Sequence, residues 1–153
     1  PYQDRRHTRP YRTLRKIVEH QKILTAAPSK TTVREAARLM KQTRVGALLV
    51  VEHGRLVGIF TERDALFRVL AEGLNPDVTP LSEVMTSDPL TVHPDKPFAH
   101  ALHMMYENGF RHVPVAENGR PLGMVSARDA LALEAEEFEV ALHRREHLRE
   151  ILG

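Results

Sequence analysis

The sequence contains no cysteine and no tryptophan among its 153 residues, and only 5% of the residues are aromatic. The absence of cysteine excludes disulfides and thiolate metal ligands, and it fits a reducing compartment. The longest apolar run lies near Val45–Val51, far short of the ~20 residues that a transmembrane helix needs. The N-terminus is rich in arginine and lacks the apolar stretch of a signal peptide. These absences predict a cytoplasmic protein that does not span a membrane.

Motifs of catalysis are missing as well. The sequence has no Gly-x-Ser-x-Gly, no Walker-type phosphate loop and no Gly-x-Gly-x-x-Gly. Two histidine pairs occur at helical spacing, His100 with His103 and His143 with His147, but neither has a nearby third metal ligand. We therefore predict no enzyme activity, no catalytic residue, no metal site and no obligatory cofactor.

The net charge of +2 is unevenly distributed. Residues 1–16 form a basic arm against a single acidic residue, Asp4; its cations are Arg5, Arg6, Arg9, Arg12, Arg15 and Lys16. Such an arm suits contact with nucleic acid or with an acidic surface. No base-reading motif accompanies it, so a solvated terminus or the start of an amphipathic helix is the favoured interpretation.

An internal repeat is the most informative feature, because a repeat decides the architecture. The segment GALLVVEHGRLVGIFTERDAL, residues 46–66, aligns without a gap with RHVPVAENGRPLGMVSARDAL, residues 111–131. The identical pairs are Val50/Val115, Glu52/Glu117, Gly54/Gly119, Arg55/Arg120, Gly58/Gly123, Arg63/Arg128, Asp64/Asp129, Ala65/Ala130 and Leu66/Leu131. Only two copies occur, which predicts a pseudo-symmetric pair rather than a solenoid.

Hydrophobic periodicity and turn residues predict the order β-α-β-β-α in each copy. The predicted strands are Ile23–Thr25, Val45–Val51, Leu56–Phe60, Leu90–Val92, His112–Ala116 and Leu122–Val125. Three helices are predicted to begin at Thr32, Thr61 and Ser126. Two further helices are predicted to cover Phe98–Asn108 and Glu134–Leu152. Neither copy easily covers both faces of its sheet alone, so we predict an α+β fold in which two units share one core.

This arrangement resembles a tandem pair of CBS (cystathionine-β-synthase) domains, also called a Bateman module. The segments that carry the resemblance are VGALLVVEHGRLVGIFTERD, PLSEVMTSDPLTVHPD and RHVPVAENGRPLGMVSARD. The chain is similar in style to small bacterial proteins that are little more than one CBS pair. The resemblance implies two units packed sheet to sheet. The implied divisions are a basic N-terminal arm (1–17), a first CBS domain (18–78), a second CBS domain (79–134) and a C-terminal helix (135–153).

Each copy places a hydroxyl and an aspartate three residues apart at a strand-to-helix corner, Thr61 with Asp64 and Ser126 with Asp129. The start of a helix favours an anion, and an ionised aspartate accepts hydrogen bonds from both hydroxyls of a ribose. The same pattern is also the capping box of an ordinary helix. In CBS domains this hydroxyl-x-x-Asp binds ribose and phosphate, so the resemblance implies that both roles are combined here.

The surroundings of the two corners differ. Arg111 and His112 open a strand of the second copy, whereas Gly46 and Ala47 hold the equivalent positions in the first copy and leave room for a flat base. The other predicted ligand-binding residues are Arg63, Arg128 and Thr25. A guanidinium suits phosphate, and the resemblance implies that the threonine lies where ligand contacts begin. This asymmetry predicts two unequal sites.

The resemblance implies a non-catalytic regulatory or signal-transduction module that binds an adenine nucleotide in the cleft between its two domains. AMP, ADP, ATP and NAD(H) are all compatible with it, each as a regulatory ligand. It also implies a homodimer formed through the CBS pair, and an effector protein is a further expected partner. Two alternatives remain: a structural or protein-interaction module with vestigial clefts, and contact with nucleic acid through the basic arm, which we regard as the weaker of the two.

Overall fold

The computed structural model describes residues 13–21 and 24–152. Most of the predicted basic arm, and Ile23 of the first predicted strand, lie outside the described residues. The helices are α1 (Leu14–Glu19), α2 (Val33–Thr43), α3 (Glu62–Asp64, continued by a π-helical segment, Ala65–Leu70), α4 (Leu81–Val84), α5 (Phe98–Asn108) and α6 (Ala127–Leu152). The strands are β1 (Ala26–Ala27), β2 (Ala47–Glu52), β3 (Arg55–Thr61), β4 (Thr86–Ser87), β5 (His112–Glu117) and β6 (Arg120–Ser126).

The strands form one sheet in each unit, and the predicted α+β fold is confirmed. The first sheet has the order β1-β2-β3-β4, with β1 parallel to β2 and the other pairs antiparallel. The second sheet is the β5-β6 hairpin, to which Val92 adds one parallel bridge at Val115. The first strand thus lies at Ala26–Ala27 rather than at 23–25, and the predicted strand that ends at Val92 is reduced to a bridge. Pro28 and Pro94 follow these segments and lack an N–H donor, which keeps both ladders short.

Strand β2 is buried on both faces and separates the helices of the first unit from the second unit. Leu48 and Val50 belong to the core cluster that includes α2, whereas Ala47 and Leu49 belong to the cluster that contacts Met124 of β6. The side chains of residues 47–50, the first four of β2, are all fully buried. Since side chains alternate across a strand, the continuous apolar run in the sequence corresponds to one strand with two covered faces. The two sheets therefore pack against each other through this cluster.

The segments that precede the two units are exchanged between them. Helix α1 comes before the first unit but packs its buried Leu14 and Val18 into the core of the second. Helix α4 comes before the second unit but contributes Leu81 and Val84 to the core of the first. The residue before each of these helices forms an antiparallel bridge with the same unit that the helix completes: Thr13 pairs with Pro97, and Pro80 pairs with Thr32. Each unit is consequently completed by a segment that lies next to the other unit in the sequence.

The glycines repeated at positions 58 and 123 permit this exchange. A Cβ on Gly123 would lie 2.6 Å from Cγ1 of Val18, at the end of α1. A Cβ on Gly58 would overlap the side chain of Met85, which directly follows α4. The identical pair Gly58/Gly123 thus lies where the exchanged segments approach β3 and β6 closely.

One long helix ends the described chain. Helix α6 runs without interruption from Ala127 to Leu152, so that the predicted last helix of the second unit and the predicted C-terminal helix are a single element. The boundary that we placed between residues 134 and 135 lies inside it, and the domain boundaries stay a prediction. Within residues 13–21 and 24–152, no helix has the length and apolar character that crossing a membrane requires.

Candidate functional site

A cleft of about 850 Å³ opens between the two units, where strands β2 and β5 begin. The first unit lines it with Thr25, Arg44, Val45, Gly46, Leu49 and Glu62. The second unit lines it with Arg111, His112, Met124, Ser126, Ala127, Arg128, Asp129, Leu131 and Ala132. Gln21 and Leu24 line it as well. A cleft of this volume, with apolar walls and a few convergent polar groups, is typical of a small-molecule site.

The structure brings most of the predicted site residues together in this cleft. Those that line it are Thr25, Gly46, Arg111, His112, Ser126, Arg128 and Asp129. Ala47 is not part of this lining, and its side chain is fully buried between the sheets. Thr61, Arg63 and Asp64 lie at the equivalent corner of the first unit, outside the lining of this cleft.

The corner between β6 and α6 holds a carboxylate beside the cleft. The N–H and the hydroxyl of Ser126 donate to Oδ2 of Asp129 at 2.7 and 3.2 Å, and the N–H of Asp129 donates to Oγ of Ser126 at 3.3 Å. This reciprocal capping box fixes the carboxylate. Among the described residues Oδ1 of Asp129 has no hydrogen-bond donor, and the residue is partly exposed. Oδ1 is therefore free to accept a hydrogen bond from a ligand hydroxyl.

The corner between β3 and α3 has the same capping box in a closed environment. The N–H of Thr61 donates to Oδ2 of Asp64 at 3.0 Å, and the N–H of Asp64 donates to Oγ1 of Thr61 at 3.1 Å. Nε of Arg68 lies 3.5 Å from Oδ1 of Asp64, and Asp64 is only 6% exposed. Arg63 is held over the ring of Phe67, 5.9 Å from its centroid. Both oxygens of this carboxylate thus have partners within the first unit.

Among the described residues that line the cleft, cationic side chains outnumber carboxylates. Arg44, Arg111 and Arg128 line it, and none of the three makes a hydrogen bond or an ion pair with a side chain in the described part of the chain. The carboxylates in the lining are Glu62 and Asp129. Because guanidinium groups bind phosphate oxygens in paired geometry, the cleft has the charge that an anionic ligand requires.

His112 lies at the junction of the two units. Burial lowers the pKa of His112, while the carboxylates of Glu62 and Asp129 oppose that shift and Arg111 adds to it. The imidazole is therefore neutral at neutral pH and offers one hydrogen-bond donor and one acceptor.

Gly46 allows the two units to approach each other beside this histidine. A Cβ on Gly46 would lie 2.6 Å from Oε1 of Glu62 and 3.2 Å from Cε1 of His112. The lack of a side chain at this position therefore permits the carboxylate of one unit and the imidazole of the other to share the floor of the cleft.

Sequence reasoning missed three polar residues of the cleft: Gln21, Arg44 and Glu62. Nε2 of Gln21 donates to the carbonyl oxygen of Met124 at 2.6 Å, and its Oε1 accepts from the N–H of Met124 at 3.2 Å. Gln21 thereby covers the edge of β6, as β4 covers the edge of β3. No local pattern signals a contact between residues this far apart in the sequence. Two of the three could have been suspected from their position: Glu62 directly follows Thr61 of the predicted corner, and Arg44 directly precedes the predicted strand that starts at Val45.

Comparison with known proteins gives one consistent result. The family model for the CBS domain matches residues 15–71 and 81–136. CBS domain-containing protein YhcV of Bacillus subtilis is 36% identical over 107 residues, which are 70% of this chain and 75% of that protein. CBS domain-containing protein CBSCBSPB3 of Arabidopsis thaliana is 41% identical over 121 residues, which are 78% of this chain and 21% of that protein. The chain thus spans only about a fifth of the length of that Arabidopsis relative.

Solved structures with bound ligands are also similar to this chain. CBS domain protein PAE2072 from Pyrobaculum aerophilum, complexed with AMP, is 31% identical with a TM-score of 0.64, and the match covers 72% of this chain and 88% of that one. The CBS domain pair of protein MJ0100, in complex with 5′-methylthioadenosine and S-adenosyl-L-methionine, is 28% identical with a TM-score of 0.73, covering 84% of this chain and 99% of that one. All three ligands contain an adenosine group.

Proposed function

Since the chain belongs to the CBS domain family and carries two such domains in tandem, we propose that it is a non-catalytic regulatory module that binds an adenine nucleotide in the cleft between them. The observation that carries this proposal is the carboxylate of Asp129, which lies in a cleft lined by three arginines. Among the described residues, neither its Oδ1 nor the three guanidinium groups have a hydrogen-bond partner. The adenosine group shared by the ligands of two similar proteins supports adenine as the base.

The parts of the nucleotide are assigned by chemistry. Asp129 accepts hydrogen bonds from the ribose hydroxyls, since an ionised carboxylate only accepts. The start of α6, at Ser126 and the N–H of Arg128, faces the phosphate, because the start of a long helix stabilises an anion. The N–H groups of Ala127 and Asp129 already donate to the carbonyl oxygen of Arg111 and to Oγ of Ser126. Leu24, Val45 and Met124 supply apolar surface for the base.

A ligand in this position contacts both units, and regulation follows from that. A nucleotide that binds one relative orientation of the units more tightly than another shifts the population toward it. We extend the proposal to a homodimer, in which this shift changes the geometry of the pair, and to an effector protein that reads the change. The coupling is reciprocal, so the effector changes the affinity for nucleotide by the same factor.

The test is a thermal-shift panel of AMP, ADP, ATP, NAD, NADH, 5′-methylthioadenosine and S-adenosyl-L-methionine, with GMP and ribose 5-phosphate as controls. At 100 times its dissociation constant a ligand adds about 2.7 kcal/mol to the free energy of unfolding, so at least one adenine compound should raise the melting temperature clearly. Native mass spectrometry of the purified protein should detect a nucleotide carried through purification. The absence of any shift with millimolar adenine compounds contradicts the proposal and favours the protein-interaction alternative.

A further inference from the structure

Arg44 has a backbone conformation that arginine rarely adopts. It is the C-cap residue of α2, in the left-handed region with φ 56° and ψ 44°. The equivalent position of the repeat, the C-cap of α5, is Gly109, with φ 71° and ψ 19°. Glycine is the usual residue at such a cap, because a Cβ is crowded in the left-handed conformation. The first unit therefore accepts a strain that the second unit avoids.

Nothing within the described chain accounts for an arginine at this position. Its guanidinium makes no hydrogen bond and no ion pair in residues 13–21 and 24–152. The cap itself is made by its backbone N–H, which donates to the carbonyl oxygens of Met40 and Lys41. A glycine would form the same backbone contacts without the strain.

The side chain of Arg44 does line the cleft between the units. Arg111 and Arg128 line the same cleft from the second unit and are likewise unpaired among the described residues. His112 adds no charge at neutral pH because burial lowers its pKa. The described residues of the cleft thus combine one cation from the first unit with two from the second, against the carboxylates of Glu62 and Asp129.

We propose that Arg44 is a phosphate-binding residue, and that through it the cleft prefers phosphate-bearing adenine nucleotides to uncharged or cationic adenosine derivatives. The proposal rests on the proposed function and adds to it the residue that selects for the phosphate. Arg44 holds the phosphate from the first unit, while the ribose is held at Asp129 of the second. An unpaired cation, kept at the cost of backbone strain where its repeat counterpart is glycine, is explained by binding of an anion.

The decisive variant is Arg44→Gly, which removes the guanidinium and the strain together. Isothermal titration calorimetry compares AMP, adenosine and inorganic pyrophosphate as probes, and thermal unfolding is measured without ligand. We expect AMP to bind about tenfold or more weakly to the variant, the range for a hydrogen bond between charged groups. Adenosine should bind as it does to the parent, and the melting temperature should stay the same or rise. Arg38→Gln, on the exposed face of α2 and outside the cleft, is the matched control and should change neither measurement.

The possible failures can be told apart. If Arg44→Gly binds AMP as tightly as the parent, the inference is overturned while the proposed function stands. If the parent binds adenosine as tightly as AMP, the cleft does not recognise phosphate and the inference is again overturned. If the melting temperature of Arg44→Gly falls, Arg44 has a structural role that this inference denies. If the parent binds no adenine compound and no pyrophosphate, the proposed function falls together with the inference.

Discussion

Asp64 and Asp129 are identical in the repeat, and both close a capping box, yet their environments differ. Asp64 is buried and has Arg68 beside its second oxygen. Asp129 is partly exposed, lines the cleft and keeps its second oxygen free of donors within the described residues. A carboxylate that is saturated by its own unit contributes to stability, whereas one with an unused acceptor beside a cleft is available to a ligand.

The two alanine substitutions should therefore differ in their effect on nucleotide binding, although each removes the carboxylate of a capping box and so lowers the free energy of unfolding. We expect Asp129→Ala to weaken nucleotide binding by about 1.5–3 kcal/mol, the range for hydrogen bonds to a charged group. We expect Asp64→Ala to lower the free energy of unfolding by about 1–2 kcal/mol, because the N–H of Thr61 loses its acceptor, with little change in the dissociation constant. Titration calorimetry and urea unfolding measure the two quantities.

Asp129→Asn serves as the control for shape, because it keeps one acceptor oxygen and loses the charge. It should fall between the parent and Asp129→Ala in affinity. Equal nucleotide affinity for Asp129→Ala and the parent would dismiss the ribose role of this residue. A larger affinity loss for Asp64→Ala than for Asp129→Ala would move the site to the other corner.

At the scale of elements, the two short helices that are exchanged between the units depend most on tertiary contacts. Helix α1 has 6 residues and α4 has 4, and helices this short are not stable in isolation. Each is held because it buries a leucine completely, Leu14 in the second core and Leu81 in the first. Arg15 adds ion pairs to Asp95 and Glu117 at 3.1 and 3.4 Å, but exposed pairs of this kind contribute little.

Leu14→Ala should consequently destabilise the whole protein, although the residue lies near the start of the chain. We expect the free energy of unfolding to fall by about 2–5 kcal/mol, the usual cost of truncating a fully buried leucine. Urea unfolding measures this, and Leu81→Ala should cost a similar amount because the two positions are equivalent. Leu148→Ala, at an exposed position of α6, is the control. If Leu14→Ala costs no more than this control, α1 is not part of the second core.

The sequence predicted the elements whose signals are local. Helix Phe98–Asn108 lies where the periodicity placed it, and both hairpins turn at the repeated glycines Gly54 and Gly119. The exchange of α1 and α4 was not predictable in this way, since it depends on contacts between distant segments. The sequence showed only that positions 58 and 123 are both glycine, and it gave no reason for the match. Its steric reason became visible once the neighbouring side chains were placed.

The candidate site was predictable to a similar extent. The hydroxyl-x-x-Asp motif located both corners, but it did not indicate that one corner is closed and the other adjoins a cleft. That difference arises from Arg68, which reaches Asp64, and from the absence of such a partner for Asp129 among the described residues. The sequence did not single out Arg44, because arginine rarely adopts the left-handed backbone conformation that distinguishes this position.

At the scale of the whole molecule, several large apolar side chains of the first unit face outward. Leu66, Phe67 and Leu70 are 50%, 55% and 71% exposed, and all belong to the π-helical segment that follows α3. An apolar group of this kind on a small protein is typical of a protein contact surface. It is the surface through which we expect the proposed homodimer to form.

The mass of the protein in solution tests this expectation. Light scattering coupled to size exclusion should give twice the mass of one chain, and Leu70→Glu should reduce it to that of one chain, because a buried carboxylate without a partner is costly. Val140→Glu, on an exposed face of α6, is the control and should leave the dimer intact. A dimer that is unaffected by Leu70→Glu would place the interface elsewhere.

Because α6 is long, we expect a small rearrangement at the cleft to become a larger displacement at Leu152. The helix starts directly after Ser126 and continues for 26 residues. At 1.5 Å per residue it is about 39 Å long, so a tilt of about 5° at its base moves its tip by about 3 Å. A lever of this kind needs no other moving part: its pivot lies beside the cleft, and its far end, at Leu152, carries the displacement away from the two units.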